Sequence, residues 1–371
     1  MKKSLLALTL ACVGTSAIAT TVYDKDGTTF TVDARIHLVY YSGNNDGIMG
    51  QTAGDHDASL QNSTRFGFGG TTDVGFAKLI GYTQWDMADS KKFGENIYAR
   101  DQFVGVDFKQ YGSITAGRYR PAMLYVTAPT YIYEDYTCSA QFYNDERNTG
   151  HIDYAFSKDG FDFKLGYVTA VDAYTMEHSY RADGKYDIEG GLGGAVGYTT
   201  DDDVLFGPIS VRAGYEYIKG QDDYSNALKD AKTFAFGASW GNLNSGFYTA
   251  AMYNQRDYSY NKGHGNKFRS AVNPDDLTVK GFEYAIAYSL DCGVSFRTGF
   301  ANLEYKTNGV KAEIKNIPAY VNYQVTPNFN VWVEGRFDVS NTEQIKLART
   351  YFKTSYLSDK ACGTIGANYN F

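Results

Sequence analysis

Along most of the chain, apolar and polar residues alternate one by one. Phe30, Val32, Ala34, Ile36, Leu38 and Tyr40 share one parity, and Thr31, Asp33, Arg35 and His37 share the other. The same period sets Ile209, Val211, Ala213, Tyr215 and Tyr217 against Ser210, Arg212, Gly214 and Glu216. It recurs where Phe282, Tyr284, Ile286, Tyr288 and Leu290 alternate with Glu283, Ala285, Ala287 and Ser289. A period of two marks β-strands with unlike faces. The strands are expected near 28–41, 60–71, 76–86, 96–109, 113–119, 146–156, 161–169, 186–199, 207–219, 233–240, 247–256, 279–290, 294–305, 312–325, 329–340 and 359–371. Most run about 9–13 residues, enough for a tilted strand to cross a bilayer. About 16 strands is an even number, so the first can pair with the last and no edge remains.

A soluble sandwich would turn its charges outward. Here the charged parity continues from segment to segment while the other is rich in Phe and Tyr, as expected for a barrel with lipid outside and water inside. Connections also differ by side. Short ones fall at 72–75, 110–112, 157–160, 291–293 and 326–328, and long ones at 42–59, 87–95, 120–145, 170–184, 220–232, 257–278 and 341–358. The expected fold is all-β, a transmembrane antiparallel β-barrel. A barrel of this size is too wide for its side chains to fill, so it encloses a water-filled channel.

Composition agrees. The 371 residues include 33 Tyr, 23 Phe and 39 Gly but only 6 Pro. A formal charge of −7 excludes a basic nucleic-acid binder. Past the N-terminus no run of about 18 apolar residues offers a membrane helix. Residues 1–19 read as a signal peptide, with Lys2 and Lys3, an apolar stretch from Ser4 to Val13, and a small-residue site at Ala17-Ile18-Ala19. Residues 20–371 then form the barrel domain, and its charge is −9. Cys138, Cys292 and Cys362 allow one disulfide at most and lack zinc-site spacing. None of the five histidines pairs with a serine motif, and GxSxG and HExxH are absent, so no catalytic residue, metal or cofactor is expected.

The third long loop, Arg120 to Asp145, differs from the rest. It carries Pro121, Tyr125, Pro129, Tyr131, Tyr133 and Phe142, with Glu134 and Asp135 adjacent. So many rings suit a segment that packs against a wall, and we expect it to fold into the lumen. The other reading is a loop that covers the barrel mouth. Arg35, Arg65 and Arg147 have the inward parity. Arg100 sits where alternation breaks, beside Asp101, and Arg118 ends its strand with ambiguous parity. Acids facing arginines across a narrow pore create a transverse field that passes polar solutes and ions. Two alternatives carry different marks. A substrate-specific channel would line its path with rings such as Tyr82, Tyr248, Tyr320 and Trp332. A barrel enzyme would need a catalytic constellation.

Several segments resemble the general trimeric porins of Gram-negative outer membranes. They are Thr64-Arg65-Phe66-Gly67-Phe68-Gly69-Gly70, Ala99-Arg100-Asp101-Gln102-Phe103, Tyr111-Gly112-Ser113 with Gly117-Arg118, Arg147-Asn148-Thr149-Gly150, and the terminal Asn368-Tyr369-Asn370-Phe371. The resemblance implies passive uptake of small hydrophilic solutes and ions through the cell outer membrane by a homotrimer. It also implies that Arg65, Arg100 and Arg147 line the constriction, opposite acids of the third loop. That loop departs from the family: Tyr133-Glu134-Asp135-Tyr136-Thr137 stands where Pro-Glu-Phe-Gly-Gly is common.

Overall fold

Where the period of two holds, the chain forms strands. The computed structural model describes residues 19–42, 58–90, 94–134, 140–143, 146–179, 184–201, 203–221, 228–261, 276–352 and 361–371. Among them, β1 (Thr20–Lys25), β2 (Thr28–Tyr41), β3 (Ser59–Asp73), β4 (Lys78–Ser90), β5 (Gly94–Asp107) and β6 (Ser113–Tyr119) come first. There follow β7 (Asn148–Lys158), β8 (Phe161–Val168), β9 (Val171–Thr175), β10 (Lys185–Thr199), β11 (Ile209–Gly220) and β12 (Leu228–Asn242). The last are β13 (Ser245–Tyr260), β14 (Asp276–Ser289), β15 (Val294–Thr307), β16 (Val310–Thr326), β17 (Phe329–Asp338) and β18 (Cys362–Asn370). Every pairing between these strands is antiparallel. β8 pairs with β10, and β18 pairs with β2, so a ring of 16 strands closes from β2 to β8 and from β10 to β18. At the seam Ala34 and Phe371 exchange both backbone hydrogen bonds, at 2.7 and 3.0 Å.

The two faces are inverted relative to a soluble protein. Outward side chains are apolar and exposed, among them Val211, Phe236, Val333 and Ile365. Inward ones include Asn254, Arg256 and Glu283, all fully buried. This is the arrangement that hydrocarbon outside and polar groups inside require.

Three strands or long helices were not expected from alternation, the first being β9, which falls within the connection expected at 170–184. β1 forms a hairpin with the start of β2 through Asp26-Gly27, both with positive φ (53° and 74°). Asp-Gly is the residue pair that a tight primed turn favours. A helix, Thr342–Phe352, lies within the last long connection. β17 ends at Asp338, opposite Asn316, so residues 310–315 of β16 have no strand on that side. The helix and its approach cover this edge: Gln344 Oε1 accepts from the Glu313 N–H at 3.0 Å, and Ser340 Oγ from the Lys315 N–H at 2.7 Å. Ile345 and Ala348, three apart, are buried beneath it.

After β6 the chain runs into segment 120–146 rather than a tight turn. It includes a short helix, Leu124–Thr127, and a 3₁₀ turn, Ala128–Thr130. Arg212 on β11 donates to the Tyr125 carbonyl at 2.8 Å and lies 4.4 Å over that ring. Tyr248 on β13 donates to the Pro129 carbonyl at 2.7 Å. Glu283 on β14 accepts from Thr130 Oγ1 at 2.6 Å and from the Ala140 N–H at 3.1 Å. Arg297 on β15 donates to the Ile132 carbonyl. All four wall residues have the inward parity. The segment comes close because Gly237 and Gly281 leave space. A Cβ at Gly237 would overlap the Val126 carbonyl oxygen, and one at Gly281 the Ala140 carbonyl oxygen. Overpacking costs about 1–3 kcal/mol. Gly237→Val and Gly281→Val should therefore each speed proteolysis within 120–146 about tenfold, while heat-modifiable gel migration shows an intact barrel. Unchanged protection of the segment would show that the close approach does not hold it.

Candidate functional site

Register sets the charges on the inner wall. Arg35 on β2 stands directly opposite Arg65 on β3, and Arg65 opposite Asp86 on β4. Facing like charges are unfavourable, so acids interleave. Arg65 Nε donates to Asp86 Oδ1 at 2.9 Å, and Arg100 Nη1 donates to the other oxygen of Asp86. Arg100 Nε also reaches Gln84 Oε1 at 3.2 Å. Arg147, just before β7, donates from Nε to Asp101 Oδ1 at 3.0 Å. Glu134 of the long segment accepts from Arg35 Nη1 at 3.1 Å and from Asn368 Nδ2 at 2.8 Å. Its own N–H donates to Glu334 Oε2 at 3.0 Å. Asp135 lies outside the described residues.

A bulge explains Arg100. The β4–β5 register shifts between Thr83 and Trp85, which face Gln102 and Ala99. Arg100 and Asp101 therefore both stand near Gln84, and both turn inward. That is the break in alternation seen in the sequence.

Arg118 does not join the others. A second bulge lies opposite it on β7, where Thr149 and Gly150 stand against Arg118 alone, so β6 itself keeps its alternation. Phe103 faces Gly117, and the exposed Gln102 faces Arg118, so Arg118 has the outward parity of Gln102. Its Nε donates at 3.2 Å to the carbonyl of Ala99, above the last β5–β6 pair. The expectation that Arg118 lines the constriction is thus corrected by register.

Sequence reasoning missed three members of the belt. It looked for acids on the loop, whereas Asp86 and Asp101 are on the wall. The parity Tyr82, Gln84, Asp86 was a readable signal for the first. Arg120, on the loop and without parity, lies 5.7 Å over the Tyr131 ring. It repels Arg147, as do Arg100 and Arg65.

The rings expected to point inward do so in different ways. Tyr248 and Tyr320 hold the long segment, Tyr320 edge-on to Tyr133 at 6.4 Å. Trp332 stacks on His37 at 5.3 Å. Tyr82 donates to Asp33 Oδ2 at 2.8 Å. Among the described residues Cys292 and Cys362 are free thiols, and no cluster of three metal-ligating side chains occurs. Cys138 lies outside them. Chemically, the belt presents guanidinium and carboxylate groups side by side. Arg35, Arg65 and Arg100 remain 17, 14 and 14% exposed, enough to touch passing water and ions.

A sequence profile described as Gram-negative porin matches residues 5–343. Outer membrane porin F of Salmonella typhi is 25% identical, with 100% of both chains covered. Outer membrane porin C of Enterobacter cloacae is 25% identical over 87% of this chain and 91% of that one. Among solved structures, Salmonella typhi OmpF in complex with daunomycin superposes with a TM-score of 0.71 at 20% identity. It covers 95% of this chain and 100% of that one.

Beyond the strands, His178 ties the connection after β9 to the long segment. Its Nδ1 meets Tyr305 Oη at 2.9 Å and its Nε2 the Gln141 carbonyl at 3.1 Å. Burial pushes the imidazole down to about 4. The folded state therefore binds the proton less readily than the unfolded chain. This contribution is complete above about pH 6.5 and is lost as pH falls toward 4. Between pH 7 and pH 4 the urea midpoint should fall further in the wild type than in His178→Gln, which cannot titrate. Equal falls in the two proteins would remove His178 from the acid response.

Proposed function

The chain belongs to the Gram-negative porins, and from that premise we propose how its pore selects. It is an outer-membrane channel for passive diffusion of small hydrophilic solutes and ions. The constriction is formed by Arg35, Arg65, Arg100 and Arg147, interleaved with Asp86, Asp101 and Glu134. One observation carries this reading: Arg65 and Arg100 share a single carboxylate, Asp86, and both keep contact with solvent. With Arg120, five arginines against three acids leave the belt positive, which favours anions at this level. Glu134 contributes by holding the long segment to Arg35 and Asn368. The reading is of a channel and not of an enzyme, and it rests on the family.

We further propose that residues 1–19 direct export and are removed, and that the barrel assembles as a homotrimer. The second point is supported by the outer face of β3 to β6. Phe68, Thr83, Gln102 and Arg118 form one row in direct register there. An arginine facing lipid at mid-depth costs about 2–4 kcal/mol. A second copy of the chain over this sector removes that cost.

Two measurements test these statements. Arg65→Ala combined with Arg147→Ala should move the reversal potential in a KCl gradient toward cations, by about twofold or more in permeability ratio. An unmoved potential would take these residues out of the constriction. Arg118→Leu should lower the temperature at which trimers dissociate on unheated gels. A rise in barrel stability without loss of trimer would place this face against lipid.

A further inference from the structure

Below the arginines, toward the short turns, lies a row of inward rings that the charged belt does not use. Direct register runs from Gly69 to Tyr82, Phe103, Gly117 and His151 on β3 to β7. The Tyr82 and Phe103 centroids are 5.7 Å apart with planes inclined by 41°. Tyr119 meets Phe103 edge-on at 5.8 Å and continues to His151 at 5.4 Å. The Tyr82 ring lies flat along the wall because two inward glycines leave room. A Cβ at Gly69 would lie 2.8 Å from its Cδ2, and one at Gly67 would lie 2.7 Å from its hydroxyl. Tyr82 and Phe103 are both half-buried, so a ring face remains open to the lumen. The hydroxyl of Tyr82 is fixed by Asp33 and by Gln84 Nε2 at 2.9 Å, and Gln84 in turn meets Arg100. A polar path thus joins the ring plane to the arginine pair.

We propose that Tyr82 and Phe103 form a binding lane for the pyranose ring of an acidic sugar, with its carboxylate held by Arg100 and Arg65. The chemistry on both partners matches. A pyranose has an apolar C–H face that stacks on an aromatic face, and a hydroxyl rim that hydrogen-bonds to its side. Asp33 and Gln84, both buried, hold the Tyr82 hydroxyl in place at that side. Two residues along the strand separate the ring row from the level of Arg100, a step of about 7 Å, which one ring with its carboxylate spans. Arg65 and Arg100 share one counter-charge, so an incoming carboxylate completes the pairing. The lane gives a general pore a preference among solutes of equal charge. It is the form in which a ring-lined path exists here, since Tyr248 and Tyr320 are occupied by the long segment.

The inference rests on the pore reading, and single-channel recording separates the two. KCl conductance of the wild-type chain in a planar bilayer tests the pore alone. Glucuronate, gluconate and glucose are then added in turn. Glucuronate should interrupt the current with an apparent affinity about fivefold above that of gluconate, which has the same charge but no ring. It should also exceed glucose, which has the ring but no charge. Phe103→Leu should erase the difference between glucuronate and gluconate, and Phe103→Tyr, which keeps the ring, should retain it. A conducting channel that treats glucuronate and gluconate alike would overturn the lane and leave the pore standing. Equal interruption by glucose and glucuronate would overturn the arginine contact. Discrimination that survives in Phe103→Leu would overturn the assignment to these rings.

Discussion

Within hydrocarbon no water can satisfy a backbone N–H or C=O, so a sheet in a membrane must have no edge. In this chain that requirement is met where Ala34 and Phe371 exchange hydrogen bonds and β18 locks onto β2. The rest follows from closure. Once closed, each strand has one face toward lipid and one toward the interior, and alternation decides which residue goes where. Val333 and Ile365 can then be largely exposed while Arg256 and Glu283 are fully buried, without either being an anomaly. Where β17 stops short, the edge left on β16 is covered by the helix Thr342–Phe352 through Gln344.

Sixteen strands enclose more space than wall side chains fill, and the chain fills part of it with itself. Met123, Val126, Phe142 and Tyr143 of the long segment join one apolar cluster with inward residues of the wall. Near its end, Arg256 on β13 grips Glu146 with two nitrogens at 2.6 and 3.1 Å, neither residue more than 1% exposed. Removing one partner of such a pair costs about 3–5 kcal/mol, because the other is left charged and buried. The pair therefore fixes the end of the segment firmly. It constrains where Glu134, some ten residues earlier, can meet Arg35. Buried charge in this barrel thus has two settings. On β13 it anchors the filling, and on β2 to β5 it stays at the solvent boundary.

Much of this was readable in the chain. Strand positions and faces followed from alternation, because lipid on one side and polar groups on the other leave each residue little choice. The aromatic content of 120–146 signalled packing against a wall. Its seat was harder to see, since it depends on absent side chains at Gly237 and Gly281, which read simply as inward small residues. The Asp26-Gly27 hairpin carried a signal that strand counting overlooked. The helix after β17 covers an edge that exists only once β17 stops short of β16. The acids of the belt were sought on the loop, although Asp86 had the inward parity all along.

The hardest distinction was between two arginines on neighbouring strands. Arg100 lies at a single extra residue on its own strand and cannot be assigned by counting in twos, whereas counting in twos along β6 puts Arg118 outside. The bulge on β5 lets Arg100 and Asp101 turn inward together. On β6 plain alternation leaves Gly117 and the Tyr119 ring inside and Arg118 out, and the extra residue there belongs to β7, which sets Thr149 and Gly150 against Arg118. A bulge re-aims a side chain without altering the sheet around it. The same residue type one strand away then lies on opposite surfaces, one facing the interior and the other facing outward from the barrel. On this wall one local irregularity turns Arg100 inward, and the regular pattern next to it turns Arg118 outward.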